Sequence, residues 1–106
     1  MSDAFDVADC PSDVPPDHPH ATLLIINRKG LHARASAKFV QTVERYDAVV
    51  TVTRCGETVG GRSIMGLLTL GAAQGTKIVV TAQGPEAAES LAALTDLLAN
   101  RFGEDE

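Results

Sequence analysis

One apolar stripe limits the folds open to this chain more than any other feature. Ala87, Leu91, Leu94, Leu98 and Phe102 recur at helical spacing, so a helix over this stretch has one continuous face that must be buried. Its punctuation is clear. Gly84 precedes Pro85, which suits the first helical position. Glu86 and Glu89 complement the positive end of the helix dipole, Arg101 falls in the last turn, and Gly103 closes it. A chain of 106 residues has room for one small domain and one core. The stripe must therefore pack on short elements from the same core.

Those elements can be read in order. Thr22–Ile26 is an apolar run consistent with a buried strand. Asn27-Arg28-Lys29-Gly30 is a polar loop. Ala33 to about Tyr46 reads as a helix, with Ala37, Val40 and Val43 on one face and Phe39 beside them. Ala48–Thr53 alternates as a β-branched strand. Arg54-Cys55-Gly56-Glu57 is a hairpin turn, and Thr58-Val59 begin the return strand. Ser63 is a good N-cap for a short helix, Ile64–Leu70. Lys77–Gln83 is a further strand with Ile78, Val80 and Ala82 on one face. The order β-α-β-β-α-β-α predicts an α+β open-faced sandwich, a four-stranded antiparallel sheet covered on one face by three helices.

Charge separates the domain from its ends. Net charge is −5, but residues 1–20 hold five aspartates and no lysine or arginine, and residues 104–106 are all acidic, which leaves +3 on residues 21–103. Residues 1–20, rich in Asp and Pro, read as a disordered extension, and 104–106 as an acidic tail. A balance of +3 with 4% aromatic residues argues against nucleic acid. No apolar run approaches membrane-spanning length, and the N-terminus lacks the character of a secretory signal, so a cytoplasmic protein is expected. In a reducing compartment Cys10 and Cys55 are expected to be free thiols. His18 and His20 supply too few ligands for a metal, and neither a metal nor a cofactor is expected.

The chemistry concentrates in Gly30-Leu31-His32-Ala33-Arg34-Ala35-Ser36-Ala37. A histidine there stands at a helix start, where unpaired N–H groups and the dipole favour an anion, and Ala33 and Arg34 supply that helix N-terminus. Arg34 adds a planar fork that matches phosphate oxygens. Arg28, Lys29 and Lys38 raise the local potential. A neutral imidazole in such a place can attack a phosphoryl group, and positive surroundings disfavour the imidazolium form.

The run Lys29 to Val40 resembles the active-site signature of the HPr family, the histidine phosphocarriers of the bacterial phosphotransferase system. Gly61-Arg-Ser-Ile-Met-Gly-Leu-Leu-Thr-Leu70 resembles that family's second-helix segment, and the likeness covers about residues 21–103. The resemblance implies that enzyme I phosphorylates the δ1 nitrogen of His32, that Arg34 orients the phosphoryl group, and that an enzyme IIA protein or domain accepts it. It makes Ser63 the counterpart of a serine modified by a regulatory HPr kinase/phosphorylase. It makes Ile64, Met65 and Leu68 an apolar docking patch, rimmed by Arg28, Lys29, Arg34, Lys38 and Arg62. Ala35 stands where sugar-transport members most often carry Pro, and Ala-Arg-Ala-Ser-Ala is similar to the nitrogen-related NPr branch.

The leading expectation is a monomeric phosphocarrier serving sugar uptake or nitrogen/carbon regulation, itself a substrate of enzyme I rather than a turnover enzyme. The alternative is an HPr-like regulatory module that docks a partner without phosphoryl transfer. The pairing of His32 with Arg34 argues against that alternative.

Overall fold

The computed structural model describes residues 19–104. The elements are β1 (His20–Leu24), α1 (Ala33–Val43), β2 (Val49–Arg54), β3 (Glu57–Gly60), α2 (Ile64–Thr69), β4 (Lys77–Gln83) and α3 (Ala87–Ala99), followed by a 3-10 turn at Arg101–Gly103. All strand pairings are antiparallel, in the spatial order β1-β4-β2-β3. The three helices share one face of the sheet, as the element order predicts. Most of the extension expected at 1–20 lies outside the described residues, as do Asp105 and Glu106.

The sheet owes its single covered face to strand alternation. Val50 and Val52 of β2 pair with Ala82 and Val80 of β4, and Leu23 of β1 pairs with Ile78. All six are buried, and they meet Phe39 and Val43 from α1, Leu67 from α2, and Leu94 and Leu98 from α3. Cys55 and Gly56 take φ of 54° and 79°, the left-handed pair that a tight hairpin with matched twist requires.

Several boundaries differ from the sequence reading, each for a physical reason. β1 begins at His20, before the expected Thr22, because Ala82 N–H already bonds to the Pro19 carbonyl at 3.0 Å. Its apolar run conceals an alternation: Leu23 is buried while Leu24 is exposed. α1 stops at Val43, short of Tyr46. Pro85 lies before the N-cap of α3, which is Glu86. Glu86 is held there by Asp47, whose N–H donates to Oε1 at 2.7 Å and whose carbonyl accepts from the Glu86 N–H at 3.0 Å. α3 ends at Ala99, so Phe102 completes the buried stripe from the 3-10 turn rather than from the helix.

Cys55 corrects a further expectation. It is disulfide-bonded and not a free thiol. It sits exposed at the tip of the β2–β3 turn. Among the described residues no helix is long and apolar enough to cross a membrane.

Candidate functional site

The site forms where the β1–α1 connection becomes helix. Gly30 has φ of 69°, and a Cβ there would come within 2.6 Å of the Ala72 carbonyl oxygen. Leu31 N–H donates to that same oxygen at 2.9 Å. Only glycine permits this close approach in that conformation, and the approach fixes the residue that follows Leu31.

That residue, His32, is the N-cap of α1, with extended backbone at φ −79° and ψ −176°. Its carbonyl accepts the first helical bond, from Ser36 N–H at 2.8 Å. The N–H groups of Ala33, Arg34 and Ala35 precede that bond and have no acceptor within the helix. The imidazole makes no capping bond to them.

The ring meets the other end of the chain instead. Nε2 of His32 is in hydrogen-bond contact with Oε2 of Glu104, the two side chains being 27% and 17% exposed. Oε1 of the same carboxylate accepts from Nδ2 of Asn27 at 3.1 Å, and that Nδ2 also donates to the Gly30 carbonyl at 2.8 Å. Asn27 is fully buried. One amide thus ties the glycine loop to the carboxylate on the histidine.

Glu104 is delivered by a sharp hook. Arg101 and Phe102 adopt φ of 55° and 54°, a left-handed pair that costs non-glycine residues free energy. Burial of the Phe102 ring, 1% exposed, opposes that cost. So does Lys38, whose Nζ donates to the Phe102 carbonyl at 2.6 Å. Partial burial acts to raise the Glu104 carboxyl, but the hydrogen bonds from Asn27 and His32, with the charges of His32 and Lys29, together hold it below its ordinary value of 4.5.

The remaining predicted residues divide. Arg28, Lys29, Arg34 and Arg62 are exposed, as a docking rim would require. Lys38 is half-buried and engaged with Phe102. Ser63 is the N-cap of α2, its Oγ accepting from Gly66 N–H at 2.9 Å. Ile64 and Met65 are 39% and 71% exposed, Leu68 is half-buried, and Leu67 and Leu70 turn into the core. Among the described residues no group of three His, Cys, Asp or Glu side chains could hold a metal.

Asn27 and Glu104 escaped the sequence reading. Asn27 looked like one polar residue of a loop, and Glu104 like one charge of a tail. The electrostatic picture there was also incomplete, because a carboxylate stands among the positive charges around His32.

Known proteins resemble both the sequence and the fold. The family pattern for the PTS HPr component phosphorylation site matches residues 20–100. The phosphocarrier protein HPr of Neisseria meningitidis serogroup A is 51% identical over 82 residues, covering 77% of this chain and 92% of that protein. The HPr of Pseudomonas aeruginosa is 45% identical over 89 residues, covering 83% of this chain and 99% of that protein. The crystal structure of HPr-C-His from Thermoanaerobacter tengcongensis superposes with a TM-score of 0.80 at 38% identity, covering 83% of this chain and 99% of that one. A histidine at an open helix start, the two matching segments and the shared architecture converge: the chain belongs to the HPr family of phosphocarriers of the phosphotransferase system.

Proposed function

We infer that the chain accepts a phosphoryl group on Nδ1 of His32 from phospho-enzyme I, itself charged by phosphoenolpyruvate, and passes it to a histidine of an enzyme IIA protein or domain. The observation that carries this reading is the contact between His32 Nε2 and the Glu104 carboxylate. A carboxylate can only accept, so the ring proton resides on Nε2. In the neutral ring, the lone pair is then on Nδ1. Glu104 and Asn27 act as positioning residues that select this tautomer.

Transfer follows from that geometry. The Nδ1–P bond forms as the donor's P–N bond breaks, and the Nε2 proton stays on the bond to Glu104. Phosphoryl oxygens are received by the open N–H groups of Ala33 and Arg34 and by the Arg34 guanidinium. The nearby carboxylate opposes over-stabilising the dianion, which keeps onward transfer easy. The chain is consumed and regenerated as a relay and does not turn over a small substrate.

Docking fits the exposed Ile64 and Met65, with Leu68 beneath them and a basic rim of Arg28, Lys29, Arg34 and Arg62. Lys38 contributes charge to this rim while holding the Phe102 carbonyl. Ser63 is a regulatory phosphorylation site for an HPr kinase/phosphorylase. A phosphate there would add up to two negative charges where acidic partners arrive. Ala35 in place of the usual Pro is similar to the nitrogen-related branch, and the relay serves sugar uptake or nitrogen/carbon regulation.

The test is incubation with phosphoenolpyruvate and a matching enzyme I. An acid-labile, base-stable phosphate is expected on the wild type and absent from His32→Ala. An unlabelled wild type, or a labelled His32→Ala, overturns the reading.

A further inference from the structure

A pocket of about 370 Å³ opens where β2 begins and β3 ends. Its lining runs from Asp47 to Val50 and from Gly60 to Arg62. The ladder between the two strands stops there. Thr51 pairs with Gly60, and the Gly61 N–H makes one further bond, to the Val50 carbonyl at 2.7 Å. Of these residues only Arg62 has a part in the docking surface around His32.

Three features set this pocket apart from an ordinary surface hollow. The first is Gly60. Six of the described glycines take positive φ. A Cβ on Gly61 would meet Val50 Cγ1 at 2.8 Å, and one on Gly66 would meet Val59 Cβ at 3.0 Å. Gly60 has neither reason to be glycine: its φ lies outside the left-handed region, and a Cβ there meets nothing within 4 Å. What the missing side chain leaves is room, and glycine in a strand commonly marks the close approach of a ligand or another backbone. The second feature is Val49, an apolar side chain of the pocket wall that is 68% exposed. Contact with a hydrocarbon group would remove that area from water. The third is a pair of opposite charges. Asp47 and Arg62 are both exposed, and among the described residues neither charged group is bonded to another side chain. The Asp47 backbone is fixed by its two bonds to Glu86, at 2.7 and 3.0 Å, so the carboxylate is carried on a held position.

Mostly apolar walls with a few charged groups are the usual setting for a small organic ligand. The planar fork of Arg62 suits a carboxylate. The Asp47 carboxylate suits an ammonium, and Val49 suits a short hydrocarbon. A dicarboxylate or phosphate ester fits worse, because Asp47 repels a second negative charge, and a diamine is opposed by Arg62 in the same way. We propose that this pocket binds a small aliphatic amino acid, with its carboxylate on Arg62, its ammonium on Asp47 and its hydrocarbon part against Val49.

The test titrates the full chain with L-valine and with its isomer 5-aminovalerate, which differ in the spacing of the two charges, and follows amide NMR. Signals of Val49, Gly60 and Gly61 should move with at least one isomer, at a Kd of about a millimolar for so small a ligand. Signals of Gly30 and Glu104 should stay in place. Pentanoate and pentylamine carry one charge each and should bind at least about fivefold more weakly. Arg62→Gln and Asp47→Asn should each weaken amino-acid binding by about the same factor. Gly60→Val should fill the pocket and abolish the shifts while keeping the wild-type circular dichroism, since valine suits a strand. The two charge variants decide the matter should Gly60→Val unfold. Unmoved Val49 and Gly60 signals with both isomers would overturn the proposal. So would pentanoate binding as tightly as the amino acid, undiminished binding by both charge variants, or movement of Gly30 and Glu104 instead, which places the anion at the His32 helix start.

Discussion

Two helices of this protein begin in opposite ways. Ser63 closes the start of α2 with its own hydroxyl, which accepts from the Gly66 N–H at 2.9 Å. His32 occupies the same N-cap position on α1 and makes no such bond; its ring is held from behind by Glu104. A helix start that caps itself has satisfied its own donors and serves stability. A helix start left open, with its side chain held by a residue 72 positions away, leaves donors of the kind that anions favour. The difference separates a helix start that closes itself from one whose side chain leaves its first N–H groups open.

The comparison can be broken from either side. The largest effect is expected from His32→Ala, which should abolish acid-labile labelling by phosphoenolpyruvate and enzyme I while leaving the fold intact by circular dichroism. Arg34→Ala should slow labelling by about ten- to a hundredfold, the worth of a lost charge-assisted bond. Arg34→Lys should recover part of that rate, because it keeps the charge and loses the fork.

Glu104→Gln sharpens the contrast, since it removes the acceptor-only group without removing volume. Nitrogen NMR of His32 should then show a mixed tautomer population, with transfer slowed up to about tenfold. The same substitution should change acid stability. A carboxyl held below its ordinary value of 4.5 contributes stability that is complete above that value. The contribution is lost as pH falls through the lower folded-state value. The wild type should therefore lose stability over that acidic window more steeply than Glu104→Gln.

The smallest effect on transfer should come from Ser63→Ala. It removes a cap worth about 1 kcal/mol in denaturant unfolding. It should leave His32 labelling within about twofold of wild type, because it touches none of the groups proposed to receive the phosphoryl oxygens. If Ser63→Ala instead slowed labelling as much as Arg34→Ala, the two helix starts could not be assigned different purposes.

Much of this was readable along the chain. Strand β4 was predicted to the residue, because Ile78, Val80 and Ala82 alternate between two polar ends. The start of α1 was legible because Gly30 and the alanine-rich stretch after it are local signals. The end of α3 was not. Phe102 continues the apolar spacing, so nothing in the pattern shows that it reaches the core through a left-handed turn. β1 misled for a similar reason: five apolar or β-branched residues in a row carry no alternation, and only pairing with β4 decides that Leu23 faces inward.

The site divides along the same line. The sequence by itself determined that His32 stands at a helix start, because propensity, capping and the charge balance of nearby residues act over a few positions. Only the tertiary structure decided how that residue is held. The bonds of Glu104 to His32 and Asn27 span 72 and 77 positions. They exist because a buried phenyl ring and the Lys38 ammonium make a costly turn favourable. No local pattern encodes such a contact, since its free energy comes from burial that arises once the helices have packed on the sheet.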